Sequence, residues 1–127
     1  MKHNVMTLAM AAALLGGARD AAAQRTTERY IPVGQSPGIS GIRSYIGEIT
    51  AVDSQRKTFT VTDSAGTHTI KVTEQTRIWL DRSAQRLPNE VGGIADLQAG
   101  RRAEVKFVDD RTRDTADWIK VAIPAGG

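Results

Sequence analysis

Short runs of alternating apolar and polar residues, separated by turn sequences, constrain the fold of this chain more than any other feature. The clearest run is KTFTVTD, in which Phe59 and Val61 point to one face and the threonines between them to the other. DSAG at 63–66 has the Asp and Gly of a tight turn, and THTIKV then alternates again. A period of two residues does not form one face of a helix, so these runs predict antiparallel strands joined by a hairpin.

The run before them predicts the first strand of a three-stranded meander. In YIGEITAVD, Gly47, Ile49 and Ala51 share a face, but Val52 is also an apolar candidate for the core. One extra residue in a strand resolves such a conflict of phase, and we therefore expect a β-bulge near Thr50.

The rest of the domain continues the pattern of short strands and turns, interrupted by one long loop and one helical turn. TRIWL at 76–80 predicts a fourth strand, and the polar segment 81–92 predicts the longest internal loop. Residues 94–97 predict one helical turn, which ends at Gly100, where a positive φ is commonly needed. Two more strands follow, with inward residues Ala103, Val105, Phe107, Ile119, Val121 and Ile123 and outward residues Arg102, Glu104 and Lys106.

The first 23 residues predict a secretory signal peptide, because Lys2 and His3 precede an apolar run at 5–15 and an A-x-A exit. We expect cleavage before Gln24. The apolar run would span only about 17 Å as a helix, against a hydrocarbon core of about 30 Å, so a retained membrane span is disfavoured. A cytosolic N-terminal helix is the alternative. Export would place the mature protein in the periplasm or outside the cell.

Three segments follow the predicted signal peptide. Residues 24–44 hold prolines and glycines among isolated apolar residues and predict a flexible leader without an element of its own, in which Tyr30 and Ile31 are candidates for docking. Residues 45–123 are the predicted β domain and 124–127 a C-terminal tail. The pattern predicts an all-β fold, a small five- or six-stranded antiparallel OB-like barrel with one short helical turn, since closure hides the edges of a short sheet.

The order of these elements resembles the exported bacterial DUF5666 domain. The resemblance rests on GEI leading to VD, on FTV, on ADLQAG before a basic and acidic alternating strand, and on the final apolar strand, and it covers roughly residues 45–123. It implies a small OB-like β-barrel with no established general activity. The long charged loop 81–92 and the sequence RTRDTADW, in place of a glycine-rich turn, depart from the pattern. The family implies no catalytic residues for this chain.

Composition limits the chemistry of the mature domain. The chain has no cysteine, which excludes disulfides and thiolate chemistry. Of its 17 basic and 14 acidic residues, the predicted signal peptide holds Lys2, Arg19 and Asp20, which leaves 15 and 13 and a net charge of +2. A polyanion-binding surface therefore does not follow from the overall charge.

The candidate catalytic and metal-binding residues favour structural roles. His68 is the one histidine after the predicted signal peptide, so a triad or a small hydrolase would have to use it, but its place in a strand near a turn favours packing. Asp109, Asp110, Asp114 and Asp117 could offer oxygen ligands to Ca²⁺, yet EF-hand spacing is absent and arginines interrupt the cluster. We expect no catalysis, no metal site and no cofactor.

The two tryptophans are the candidate contact residues. Trp118 has the opposite parity to Ile119 and Val121, so it should point outward, where a large ring marks either a partner surface or a seat for the leader. The direction of Trp79 is ambiguous, because its apolar neighbours Ile78 and Leu80 lie on the opposite face of the strand and are also candidates for the core.

We predict an exported, non-catalytic and monomeric module that binds a protein or small-ligand partner, with candidate binding residues Trp79, Trp118, Arg77 and Arg101. AGRR leaves Arg101 at a strand entrance, where alternation does not decide its direction. The alternative is a binder of an anionic ligand or single-stranded nucleic acid, as OB-like barrels are, through surface tryptophans and arginines. The further candidates for that function are Tyr45, Arg82, Arg86 and Arg102. An aromatic content of only 5% disfavours nucleic acid.

Overall fold

The structure is a computed structural model that describes residues 27–126. Within this range the chain forms one seven-stranded sheet and two short 3-10 turns, Ser83–Gln85 and Ile94–Asp96. The strands are β1 (Ser44–Asp53), β2 (Thr58–Asp63), β3 (Gly66–Lys71), β4 (Arg77–Asp81), β5 (Glu90–Val91), β6 (Arg102–Phe107) and β7 (Ala116–Ala122). The all-β fold class is confirmed. The predicted signal peptide lies outside the described residues. In the described part, no helix is long and apolar enough to cross a membrane.

The sheet has the order β3-β2-β1-β6-β7-β4-β5 and is mixed, because β4 runs parallel to β7. The predicted antiparallel barrel of five or six strands is therefore wrong in the number of strands and in the direction of the β4–β7 pair, while the other strand pairs are antiparallel as predicted. The additional strand, β5, has two residues inside the predicted loop 81–92, too few for a period to show. The parallel pairing of β4 with β7 could not be predicted, because the alternation of residues indicates which face each side chain occupies but not the direction of the neighbouring strand.

The predicted meander and bulge are confirmed. β2 pairs with both β1 and β3, and the register of β1 shifts between Ile49 and Ala51. Val52 nevertheless stays 37% exposed and does not join the core. The bulge therefore re-aims the end of β1 without adding to the interior.

The sheet curls so that β3 returns towards β7. Five residues, 72–76, separate β3 from β4. Lys71 forms an isolated parallel bridge with Thr115, and its amide donates to the carbonyl of Asp114 at 2.8 Å. The sheet thereby encloses one apolar core. Its buried residues are Tyr45, Ile49, Phe59, Val61, Ile70, Val72, Ile78, Leu97, Ala103, Val105, Phe107, Ala116, Ile119 and Val121.

The predicted helical turn before β6 is confirmed as a 3-10 turn, Ile94–Asp96. Leu97 follows it and is buried in the core. Gly100 has φ +94°, and its amide donates to the carbonyl of Ile49 at 2.7 Å, which ties the turn to β1. A residue with a side chain would be strained at this φ, which explains the glycine.

Residues 27–43, which we call the strap, lie across the outer face of β4, β6 and β7. Val33, Ser36 and Ile39 of the strap are buried. This arrangement differs from the flexible leader predicted over 24–44. The physical reason is that the isolated apolar residues and backbone amides of the strap find partners on the strands, which a search for periodic runs does not detect.

The face beneath the strap corrects two expectations. Glu104 and Trp118 lie opposite the core, as alternation predicted, but they are 0% and 1% exposed instead of solvent-facing. Alternation along a strand predicts which face of the sheet a side chain occupies. It does not predict whether that face is covered, and here the strap covers it.

Candidate functional site

The two tryptophans lie together beneath the strap. Their ring centroids are 5.9 Å apart, and Ile39 of the strap packs with both rings. Trp118 also has the ammonium nitrogen of Lys120 4.7 Å from its ring centroid, within range of a cation–π interaction. The leader segment thus docks on Trp118 through Ile39, whereas the docking candidate Tyr30 is 61% exposed.

A buried ion pair fastens the strap to β7. Lys120 Nζ lies 2.9 Å from Glu28 Oε1 and donates to Ser36 Oγ at 2.8 Å. Ser36 Oγ in turn donates to Glu28 Oε1. All three side chains are buried, so the charges compensate one another away from solvent.

A second buried carboxylate fastens the strap to β6. Glu104 accepts hydrogen bonds from the amide of Gly34 at 2.9 Å, from Ser40 Oγ at 2.7 Å and from Ser44 Oγ at 2.6 Å. Three donors satisfy a carboxylate that has no exposed surface. These contacts commit Glu104 to holding the strap.

An open groove of about 680 Å³ lies next to the strap, a volume in the range of small-molecule sites. Its apolar lining is Val72, Ile78, Trp79, Val91 and Ile94. Its charged lining is Arg29, Lys57, Glu74 and Arg77, and the other lining residues are Tyr30, Thr73, Thr76, Gly92 and Gly93. The first three apolar residues are buried, and we call them the apolar floor; Val72 and Ile78 belong to the core, whereas Trp79 packs with Trp118 and Ile39 under the strap.

Most charged side chains of the groove are exposed to solvent and not paired within the described chain: Lys57, Glu74 and Arg77 are all exposed. Within residues 27–126, Lys57, Glu74 and Arg77 form no ion pair. Arg29 holds its guanidinium carbon 5.3 Å from the ring centroid of Tyr30. Its Nε is buried and has no hydrogen-bond partner in that part of the chain. Three cations and one anion therefore surround an apolar floor.

The structure brings three of the four predicted binding residues together and leaves Arg101 apart. Trp79 and Arg77 line the groove, and Trp118 lies beside Trp79 under the strap but outside the lining. Arg101 is outside the lining and donates from Nη1 to the carbonyl of Asp96 at 3.0 Å, which braces the 3-10 turn.

Sequence reasoning missed most of the lining, including Arg29, Tyr30 and Lys57. Arg29 and Tyr30 belong to the segment interpreted as a flexible leader, and Lys57 to a hairpin turn. Adjacent basic and aromatic residues in ERYI were the one signal that could have drawn attention to the strap.

His68 packs on Tyr45, with ring centroids 4.2 Å apart. The Tyr45 hydroxyl has two acceptors within reach, the Gly66 carbonyl at 3.1 Å and the Asp63 carboxylate. Burial, followed by the interaction with Asp63, raises the pKa of Tyr45 from 10.0 to about 12. The hydrogen bond from Tyr45 is the main cause that lowers the pKa of Asp63, with smaller lowering from the amides of Ala65 and Gly66 and the charge of His68, against desolvation. Asp63 is thus engaged in the hairpin turn.

The aspartates of the β6–β7 loop bond to their own loop. Asp109 Oδ1 accepts from the amide of Arg111 at 2.8 Å, and Asp114 Oδ1 accepts from Thr112 and Thr115. In the described range 27–126, no group of three or more histidine, aspartate or glutamate side chains is placed to hold a metal ion.

Comparison with known proteins gives a family match and a structural likeness. The family model for the domain of unknown function DUF5666 matches residues 46–120. No curated protein matches the chain. Among solved structures, the crystal structure of Ag(I)CusF is similar at a TM-score of 0.41 and 19% sequence identity, and the likeness covers 61% of this chain and 93% of that chain.

Proposed function

The chain belongs to the DUF5666 family, as its resemblance implied, and we propose that it is an exported, non-catalytic module that binds a small ligand in the groove beside the strap. The observation that carries this proposal is the lining of the groove. Val72, Ile78 and Trp79 give it a buried apolar floor, and the charged side chains around that floor have no ion-pair partner in the described part. Concave sites with an apolar floor and a few convergent polar groups are typical of ligand sites.

A binding role fits the groups that line the groove better than a catalytic one. Thr76 Oγ1 donates to the carbonyl of Ala116 at 2.7 Å and accepts from the amide of Thr73 at 2.9 Å, so it serves the turn between β3 and β4. Glu74 is the one carboxylate among the described lining residues, and His68 lies outside the lining. This set holds no nucleophile beside a base.

The alternative of a single-stranded nucleic-acid binder has little support from the placement of the tryptophans. Stacking on bases needs exposed aromatic faces, and Trp79 and Trp118 are 6% and 1% exposed. Of the candidate arginines, Arg77 lines the groove, while Arg101 braces a turn.

A thermal-shift screen tests the proposed ligand site. The mature protein is heated with a panel of small aromatic and aliphatic compounds, acids, amides and amines included. A compound that binds the native groove should raise the midpoint by roughly 10 °C or more at 100 times its Kd, since about 2.7 kcal/mol of stabilisation is then expected. A panel without any shift would count against the proposal.

A matched pair of variants tests the location. Val91 lines the groove and is 63% exposed, whereas Val108 is 68% exposed and outside the lining. Val91→Trp, whose bulk obstructs the groove without adding a charge, should abolish the shift, and Val108→Trp should leave it unchanged. Equal shifts in both variants would indicate that the compound binds outside the groove.

The export part of the proposal rests on the order of basic start, apolar run and A-x-A exit in the first 23 residues. N-terminal sequencing of the protein recovered from the periplasm or the medium should begin at Gln24. Recovery of the protein only from the cytosol, with residues 1–23 retained, would contradict export.

A further inference from the structure

The guanidinium group of Arg29 has a buried donor nitrogen for which the described residues offer no acceptor. Its Nε is buried and has no hydrogen-bond partner within residues 27–126, and the residue lines the groove. A buried donor without an acceptor carries a desolvation cost that no hydrogen bond offsets, and the cost is larger when the group is charged. Because this nitrogen has almost no exposed surface, the side chain would have to turn towards an acceptor in the groove to remove this cost.

The backbone around Arg29 is fixed on both sides. The preceding residue, Glu28, is held by Lys120 at 2.9 Å. The Arg29 carbonyl accepts from Asn89 Nδ2 at 3.0 Å, and Asn89 is itself buried. The guanidinium therefore starts from an anchored position, so less freedom is lost when it binds a ligand.

The remaining charges of the groove favour the same kind of ligand. Lys57 and Arg77 line it as well and form no ion pair in the described chain, and Glu74 is the one acid of the lining. A guanidinium matches a carboxylate with two parallel hydrogen bonds, which makes such pairs strong and geometrically selective.

We propose that the ligand of the groove is an organic carboxylate with an apolar body, and that Arg29 of the strap binds its carboxylate. This inference rests on the proposed function and narrows its ligand class. The apolar body lies on Val72, Ile78 and Trp79, which belong to the sheet side of the groove. Because Arg29 belongs to the strap and the floor to the sheet, a bound carboxylate joins the two and holds the strap down.

Matched acids and amides test the carboxylate. Binding of 2-naphthoate and 2-naphthamide, and of hexanoate and hexanamide, is measured by calorimetry with the mature protein. Each acid should bind at least 10-fold more tightly than its amide. Arg29→Gln should abolish this preference and leave the amide affinity within about 2-fold, while the control Arg111→Gln, in the exposed β6–β7 loop, should keep the preference.

The outcomes separate this inference from the proposed function. Acids and amides that bind equally to the wild type, or an Arg29→Gln variant that keeps the preference, would overturn the role of Arg29 while the groove remains the site. Failure of both acids and amides to bind the wild type would overturn the inference together with the proposed function.

Hydrogen exchange provides a second readout in the strap. The amides of Tyr30 and Ile31 donate to the carbonyls of Thr27 and Glu28 at 3.0 and 3.1 Å, so they report opening of this segment. Saturating acid should slow their exchange at least 10-fold in the wild type and leave it unchanged in Arg29→Gln, whose exchange without ligand should equal that of the wild type. Bound acid without any slowing would show that the ligand does not hold the strap.

Discussion

Lys120 lies in the middle of β7, and its ammonium is buried against a carboxylate from a segment 92 residues away in sequence. Replacement by Met removes the cation and leaves Glu28 buried without its counter-charge. Breaking a buried pair in this way costs about 3–5 kcal/mol, so we expect Lys120→Met to lower the free energy of unfolding by that amount. Urea denaturation followed by circular dichroism measures it.

The double variant Glu28→Gln with Lys120→Met is the control for this pair. It removes both charges, so it should be more stable than Lys120→Met alone, because no unpaired charge remains buried. A single variant as stable as the wild type would show that the pair does not hold the strap.

The raised pKa of Tyr45 predicts a loss of folding stability at high pH. Its pKa is 10.0 in the unfolded chain and is raised to about 12 by burial, so the folded state keeps a proton that the unfolded state has lost. The stabilisation is complete below pH 10 and is lost as the pH rises through 12, by up to about 1.4 kcal/mol per pH unit. Urea unfolding at pH 7 to 12 should show this decline in the wild type and not in Tyr45→Phe.

Asp63 gives the opposite dependence at low pH. Its pKa is lowered from 3.8, mainly by the hydrogen bond from Tyr45, so its contribution is present above pH 3.8 and is lost as the pH falls below it. The difference in stability between the wild type and Tyr45→Phe should therefore shrink at both ends of the pH range. Tyr30→Phe, at a side chain that is 61% exposed, is the control, and a similar shrinkage there would contradict the assignment.

Sequence reasoning succeeded at single residues where the period of a strand decided the outcome. Phe59, Val61 and Val105 are buried as their alternation predicts. It failed at Glu104 and Trp118, because the cover over their face comes from a segment without any period. The lining of the groove was predicted to the same extent. Arg77 and Trp79 were identified because they lie on a predicted strand, whereas the lining residues of the strap were not.

At the level of elements, Gly47 in β1 sets how closely β1 and β2 approach each other. A Cβ on Gly47 would lie 2.5 Å from the Thr62 carbonyl oxygen and 2.8 Å from Val61 Cγ1, so the two strands would have to separate. We expect Gly47→Ala to destabilise the domain by about 1–3 kcal/mol, the usual cost of overpacking. The midpoint of thermal unfolding reports the change.

Gly93 offers a matched control for Gly47. A Cβ there meets no described atom within 4 Å, and its φ of −144° is open to any residue. Gly93→Ala should leave the midpoint nearly unchanged. Equal effects of the two substitutions would exclude a close approach of the strands as the reason for Gly47.

The elements themselves were predictable to the extent that they are long and regular. The hairpins of β1, β2 and β3 follow from alternation and turn residues, and the turn before β6 follows from Leu97 and Gly100. The two-residue strand β5 is held by pairing of Val91 with Trp79, and by a bond from the Gly92 amide to the Ile78 carbonyl at 2.9 Å. Such an element depends on tertiary pairing and leaves no local signal.

For the whole molecule, the strap joins strands that are otherwise connected only through the sheet. It contacts β4 through the bond from the Val33 amide to Asp81 at 2.9 Å, β6 through Glu104 and β7 through Lys120. We therefore expect strap and sheet to unfold as one cooperative unit. Both tryptophans lie beneath the strap, so their fluorescence reports its release, and far-UV circular dichroism reports the sheet.

The two signals should give the same urea midpoint in the wild type. A fluorescence change at a lower urea concentration than the circular dichroism change would mean that the strap detaches first, as a flexible leader would. Ile39→Ser, which removes the contact with both tryptophans, should separate the midpoints and provides the reference for detachment.

The direct continuation of the strap into β1 has a mechanical consequence. Along the strap, the attachments to β7, β4 and β6 follow one another from Glu28 through Val33 to Gly34 and Ser40. Tension applied at residue 27 would load these bonds one at a time, so the strap would peel at low force. β7 has hydrogen-bonded neighbours on both edges, β6 and β4, and a pull along its axis would load many backbone bonds at once. The molecule is thus mechanically weak at the beginning of the described chain and strong at its end.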